Sequence, residues 1–276
     1  MCRWLAYYGS PLPLDEVLLK RDRSLVDQSL HSRLGATTTN GDGFGVGWYD
    51  GAATPHTYRS AHPAWNDRNL RELAGAVSSP LFMAHVRAST GSAVQETNTH
   101  PFRYGNWLWM HNGLIREFPK VVRELRLAID PSLYPLIEGT TDSETMFYLA
   151  LTFGLEDGPS AAVERLVGFV EATGRKHGID NPIQMTVATS DGNRLWAFRY
   201  SSERDSRSLF FSTRLDVLRD LHPELEGLQL LSDESRLVVS EPLGDLEGAW
   251  NAVPESSWGV VQDGQDEIHQ FTPRSV

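Results

Sequence analysis

The chain reads as an α+β protein built on two stacked, mostly antiparallel sheets. Three observations predict this class. Apolar runs of strand type, separated by glycine-rich turns, dominate up to Gly113; two paired amphipathic helical patterns follow; after Gly178 short strands return, joined by hairpin signals. With 276 residues the chain has room for one large domain or two ordinary ones. No linker, repeat or low-complexity tract forces a boundary, so the expectation is a single domain over 1–276.

In order, Cys2-Arg3-Trp4-Leu5-Ala6-Tyr7-Tyr8 reads as a strand closed by a turn at Gly9-Ser10-Pro11. Residues 14–20 suit a short helix, and the polar stretch 28–40, without a clear period, reads as loop. The run Gly41-Asp42-Gly43-Phe44-Gly45-Val46-Gly47-Trp48-Tyr49 packs four glycines into a segment that ends as a strand. Leu70, Leu73, Ala74 and Val77 follow the i, i+3, i+4, i+7 rule and predict a helix over 66–77. Two strands follow, 81–86 and 107–111, the second stopped by Asn112-Gly113. Phe118, Val121, Val122 and Leu125 give an amphipathic helix with Pro119 in its first turn.

Thr141-Asp142-Ser143-Glu144 has capping-box spacing before an apolar run, which starts a helix at Asp142. Ser160 is the expected cap of the next, whose apolar face is Val163, Leu166, Val167 and Val170. Strands at 185–189 and 195–200 flank the turn Ser190-Asp191-Gly192-Asn193, and further short strands are expected at 209–212, 237–240, 259–262 and 268–271.

Composition narrows the function. A net charge of −11 argues against an electrostatic grip on nucleic acid or anionic membrane. Cys2 is the single cysteine, which excludes an intrachain disulfide and a cysteine-based zinc site. The first residues lack the basic and apolar regions of a signal peptide, and no apolar run reaches membrane-spanning length. The expected compartment is the cytoplasm.

Chemistry centres on the start of the chain. Removal of Met1 would leave Cys2 with a thiol and a free α-amine, a nucleophile and a base on one residue. The alternative is a small buried hydrophobe. A thiol that cleaves amides needs oxyanion donors, and Asn112 with the Gly113 N–H offers them; an Asn-Gly turn is the competing reading. Arg87, beyond a strand end, suits bidentate capture of a carboxylate or is an ordinary surface charge. Asp142 suits a substrate ammonium, or serves only the positive end of its helix. His85, His100 and His111 match no metal-ligand spacing and read as hydrogen-bonded structural residues, so neither metal nor cofactor is expected. The glycine run lacks phosphate-loop spacing and precedes its strand; close backbone packing or a tight turn explains it better. Trp4, Trp48, Trp107 and Trp109 read as core before pocket.

Taken in order, Met1-Cys2, the Gly-Asp-Gly-Phe-Gly strand, His85-Val86-Arg87, Asn98-Thr99-His100-Pro101, His111-Asn112-Gly113 and Thr141-Asp142-Ser143-Glu144 resemble the class II glutamine amidotransferases of the N-terminal nucleophile hydrolase superfamily. The resemblance implies a four-layer αββα sandwich and hydrolysis of a glutamine side-chain amide through a γ-glutamyl thioester. It implies Cys2 as nucleophile with its α-amine as base, and Asn112 and Gly113 as the oxyanion hole. Arg87 would hold the substrate carboxylate, Asp142 the ammonium, and Thr90 would line the pocket, with His85, His100 and His111 in support. Met1-Cys2-Arg3 and the glycine strand look most like the small stand-alone branch, which includes the γ-glutamyl amidohydrolase of ergothioneine biosynthesis.

The large synthases of the family carry a tryptophan and a histidine where this chain has Ala88 and Gly91, which leaves room for a larger amide substituent or a less sealed pocket. With no residues left for a synthase domain, the expected alternatives are a hydrolase of glutamine or a γ-glutamyl amide and a glutaminase subunit lending ammonia to a separate synthase. A third is a non-catalytic binding protein for glutamine or γ-glutamyl compounds; the nucleophile and oxyanion donors argue against it. With Met1 attached, the Cys2 nitrogen is an amide and cannot act as base, although Arg3 still favours the thiolate.

Overall fold

The structure, a computed structural model, describes residues 2–21, 23–31, 39–89, 91–225, 228, 231–263 and 265–275. Met1, Thr90 and residues 32–38 of the expected loop lie outside the described residues. The chain opens with β1 (Arg3–Pro13) and two short helices, α1 (Asp15–Leu18) and α2 (Leu25–Leu30). A hairpin of β2 (Phe44–Tyr49) and β3 (His56–Ser60) leads to α3 (Arg68–Ala76), which Asp67 caps by accepting from the Leu70 N–H at 2.7 Å. Next come β4 (Ser78–Val86), β5 (Phe102–Tyr104) and β6 (Trp107–Ile115). Three helices follow: α4 (Phe118–Leu127), α5 (Asp142–Thr152) and α6 (Pro159–Lys176). The remainder is β7 (Ile183–Ser190), β8 (Leu195–Ser201), β9 (Phe210–Ser212), α7 (Leu215–Leu221), β10 (Arg236–Val239), β11 (Trp250–Ala252), β12 (Ser257–Gln262) and β13 (Gln265–Gln270).

The strands form two sheets, in the orders β11-β9-β10-β1-β4-β2-β3 and β13-β12-β8-β7-β6-β5, with antiparallel neighbours throughout. The period-two alternation of a strand builds the layers. In β1, Trp4 and Ala6 join the core between the sheets, while Leu5 and Tyr7 pack on the helical side. β4 repeats this with Leu81 and Met83 inside and Phe82, Ala84 and Val86 outside; β6 does so with Leu108 and Met110 inside and Trp107 and Trp109 outside. Helices α1 to α3 cover the first sheet and α4 to α6 the second. The result is the expected αββα sandwich. Residues Ser143 to Leu151 of α5 are buried on all faces, because that helix is wedged among β6, α4 and α6.

The expected reading of the glycine run as close packing holds. A Cβ at Gly45 would lie 2.2 Å from the His100 carbonyl oxygen, and one at Gly47 would meet Leu108 at 2.8 Å and Pro101 at 2.9 Å. Trp4, Trp107 and Trp109 are core, and Trp48 is half-buried.

Four local expectations are corrected. Gly9-Ser10-Pro11 does not end the first strand: the register shifts between Tyr8 and Leu12, and β1 continues to Pro13, so the punctuation marks an irregularity. Gln28, Ser29 and Leu30 are not loop; they complete α2, whose start Ser24 caps. Asn112-Gly113 does not stop β6, because β7 pairs with it from Leu108 through Ile115. Ser160 does not cap α6; Gly158 stands at that position and Pro159 fills the first turn, where its missing N–H costs nothing.

Candidate active site

The site forms where both sheets end on the same side. The pairing Arg3 with Val86 sets Cys2 opposite Arg87, one step past the ladder of β1 and β4. The β2 side extends in step: the Arg87 N–H donates to the Gly43 carbonyl at 2.8 Å and the Asp42 N–H to the Arg87 carbonyl at 3.0 Å. From the second sheet, Asn112 follows Leu108 and Met110 on the inward face of β6, and its Nδ2 donates to the Cys2 carbonyl at 2.9 Å. Residues 110 positions apart are thereby joined across the sheets.

Two donors hold the Cys2 carbonyl. The second is Arg3, whose Nη1 reaches it at 2.9 Å while its Nε donates to Glu241 at 2.7 Å. Arg3 and Glu241 are both buried (1% and 5% exposed), so their charges compensate in a low-dielectric setting. The thiol of half-buried Cys2 lies 3.5 Å from the Ala88 carbonyl oxygen. Burial pushes its pKa up; the Ala88 backbone and the charges of Arg87 and Arg3 pull it back.

Arg87 is buried, and its guanidinium donates to the carbonyls of Asp42 at 3.2 Å and Ala93 at 3.1 Å and to Ser92 Oγ at 2.7 Å. Burial draws its pKa down, opposed by Cys2 and by Asp42, whose carboxylate is fixed by the Ser89 N–H at 2.7 Å. Asn98 ties this loop to the segment that leads into α5, donating to the Ala93 carbonyl at 3.0 Å and accepting from the Thr140 N–H at 2.8 Å.

Gly113 has φ +154°, and a Cβ there would stand 1.9 Å from the Gln184 carbonyl oxygen, so only glycine fits. Asp142 begins α5; its two oxygens accept from the N–H groups of Ile115 and Ser143, each at 2.8 Å, which docks the helix on the end of β6 two residues past Gly113. Thr141 caps α5 by accepting from the Glu144 N–H at 3.2 Å. The Glu144 carboxylate turns to the N–H groups of Glu138 and Gly139 at 2.9 and 2.8 Å, so only half of the expected capping box forms.

The three histidines gather behind these residues. The His85 and His100 rings are 4.2 Å apart, His100 lies 4.6 Å from Phe102, and His111 Nδ1 is 2.8 Å from Ser143 Oγ. Burial pulls His85 down to about 3 and His100 well below its ordinary value. His111 is lowered as well, by burial, against the pull of Asp142. The expected hydrogen bonding holds only for His111; the ring nitrogens of His85 and His100 have no hydrogen-bond partner among the described residues, and near neutrality those two are uncharged packing groups. Among the described residues, no group of three or more His, Cys, Asp or Glu side chains has the arrangement of a metal site.

The structure thus brings Cys2, Arg87, Asn112, Gly113 and Asp142 to one end of the sandwich with the histidines behind; Thr90 lies outside the described residues. Sequence reasoning missed Glu241. A lone acid 238 positions from its partner carries no local signal.

Helical layers enclosing two antiparallel sheets, with the first strand leading out of Cys2, give the N-terminal nucleophile hydrolase architecture. The chain belongs to the class II glutamine amidotransferases: the family model described as "Glutamine amidotransferases class-II" matches residues 19–275. It is 32% identical over 290 residues to "Probable glutamine amidotransferase DUG3" of Saccharomyces cerevisiae, covering 93% of this chain and 80% of that one. It is 37% identical over 257 residues to "Gamma-glutamyl-hercynylcysteine sulfoxide hydrolase" of Mycobacterium tuberculosis, covering 92% and 90%. A solved glutamine aminotransferase class-II domain protein from Silicibacter pomeroyi superposes with a TM-score of 0.76 at 31% identity, over 99% of this chain and all of that one. The glutamine phosphoribosylpyrophosphate amidotransferase of B. subtilis shares the fold over half its length (TM-score 0.63, 14% identity). The chain is therefore an enzyme of amide hydrolysis. Among the described residues no helix is long and apolar enough to cross a membrane.

Proposed function

We propose that the chain, as one catalytic domain over 1–276, hydrolyses the side-chain amide of glutamine or a γ-glutamyl amide through a thioester on Cys2. Removal of Met1 frees the α-amine, which takes the thiol proton directly or through a water. The sulfur attacks the amide carbonyl and the oxyanion is held by Asn112 and the Gly113 N–H. One hydrogen of the Asn112 amide fixes the Cys2 carbonyl, and its second remains for the substrate. The C–N bond breaks, and the leaving nitrogen takes the proton from the α-ammonium. Water then cleaves the thioester and releases glutamate. Arg87 pairs with the substrate α-carboxylate and Asp142 with its α-ammonium, with Thr90 in the same pocket. His85, His100 and His111, held neutral, support this end without carrying protons.

The observation that supports the reading is the 2.9 Å bond from Asn112 to Cys2, which brings the Asn112 amide beside Cys2 from the opposite sheet. Intact mass before and after treatment with the glutamine analogue diazo-oxo-norleucine tests it. Loss of Met1 and a single adduct, absent in Cys2→Ala, is expected. A chain that keeps Met1 and takes no adduct overturns the mechanism.

A further inference from the structure

We propose that Arg207 recognises a carboxylate on the departing amine, so that the preferred substrates are γ-glutamyl amides of amino acids or peptides. This rests on the function proposed above and assigns the leaving-group side of the same site.

Sheet order defines that side. β1 lies between β4 and β10, so Cys2 has Arg87, at the end of β4, on one flank. On the other flank Ser240, just after β10, exchanges hydrogen bonds with Trp4: its N–H donates to the Trp4 carbonyl at 3.0 Å and its Oγ accepts from the Trp4 N–H at 2.9 Å. Ser240 also holds the segment that carries Arg207, because Ser208 Oγ donates to the Ser240 carbonyl at 2.7 Å. At its other end, the Asp205 carbonyl accepts from Gln184 Nε2. The Gln184 carbonyl is the group that presses on Gly113. In the middle, Ser206 accepts from Arg199 Nε at 2.8 Å and donates to Glu255. Residues 205–208 therefore form a strap from the oxyanion side of the site to the flank of β1 opposite Arg87.

The strap is tied at Asp205, Ser206 and Ser208, while the guanidinium between them is uncommitted. Arg207 is half-buried, its Nε is shielded from solvent without an acceptor, and it forms no ion pair within 4 Å among the described residues. That is notable where Asp and Glu outnumber Lys and Arg by 36 to 25. A buried N–H without an acceptor is uncommon enough to need a reason. For a planar guanidinium on a rigid strap, pairing with a carboxylate is the reason that fits. Burial draws its pKa down, countered by Asp205, and its charge is close enough to interact with Cys2. A γ-glutamyl amide anchored by Arg87 crosses Cys2 and directs its amide substituent toward Arg207. Glutamine, whose leaving group is ammonia, cannot use this contact.

The test compares kcat/KM for γ-glutamylglycine and γ-glutamylglycinamide, which differ only in the leaving carboxylate. Wild type should favour the acid by about tenfold or more, the scale of a charged hydrogen-bonded pair. Arg207→Gln should bring the ratio close to one, and Arg207→Lys should keep part of it. A wild-type ratio near one, or a ratio unchanged in Arg207→Gln, overturns the assignment. So does an Arg207→Gln variant that slows both compounds equally, since the cation would then act on the thiol. Protection of Cys2 from diazo-oxo-norleucine by each compound gives the same comparison without turnover. If glutamine and the glycinamide compound are hydrolysed without preference for the acid, this inference alone fails; if neither turnover nor labelling occurs, the function proposed above fails with it.

Discussion

The buried histidines make stability depend on pH with a definite sign. A histidine whose folded pKa lies below its unfolded value of about 6.5 binds its proton first in the unfolded chain. Its contribution is complete above that value and is lost as pH falls toward the folded pKa, about 3 for His85. Between pH 7.5 and 5.5 one such group costs about 1.4 kcal/mol. His85 and His100 together cost roughly 3 kcal/mol, and His111 adds in the same direction. That is a large part of the 5–15 kcal/mol typical of a folded domain. Urea unfolding at the two pH values measures the drop. His100→Phe keeps a ring against His85 and Phe102 and removes one titration, so its drop should be smaller by about 1.4 kcal/mol. Glu144, pushed up by burial, works in the opposite sense, and the comparison of variant with wild type cancels it. A wild type equally stable at both pH values, or a variant with the full wild-type drop, would refute the reasoning.

Two substitutions probe the frame of the site. Glu241→Gln removes the carboxylate that accepts from buried Arg3, and a loss of about 3 kcal/mol is expected, with slower labelling of Cys2 because the Arg3 donor to its carbonyl is less firmly held. Unchanged stability and labelling would show that the pair is dispensable. Gly113→Ala drives a methyl into the Gln184 carbonyl at a positive φ, and a cost of at least about 3 kcal/mol is expected in the urea midpoint. Wild-type stability there would mean that β6 and β7 separate more easily than their register implies.

The strand and helix order was legible because most segments carry a period that survives packing: Leu70 and Ala74 do face the core, and the Asp191-Gly192 turn does join β7 to β8. Local turn chemistry misled where a sheet overrode it. Asn112-Gly113 looks like a stop, yet eight consecutive β6–β7 pairs run through it, and the positive φ serves a close approach to Gln184. Cys2 and Asn112 were legible as candidates from what an amide-cleaving thiol requires, and the resemblance favoured that reading over a turn; nothing local links residues 110 apart. Glu241 and Arg207 lay beyond such reading, because their meaning comes from which strand borders β1 and from what their neighbours have already bonded.

The position of the site follows from the same alternation that builds the core. Cys2, Trp4 and Ala6 share one face of β1, and Leu108, Met110 and Asn112 share the facing side of β6. One step beyond Trp4 and Met110 the apolar face runs out, and a thiol and an amide take the next inward positions. Trp4 secures the junction: its indole N–H donates to Thr186 Oγ at 3.3 Å, Thr186 donates to the Asn112 carbonyl at 3.4 Å, and its backbone is held by Ser240. Cys2, Asn112 and the strap that carries Arg207 are therefore all referred to one buried side chain. The geometry of the candidate site and inter-sheet packing are in this fold a single constraint, and a change in the core at Trp4 should be felt first as misalignment of Cys2 with Asn112.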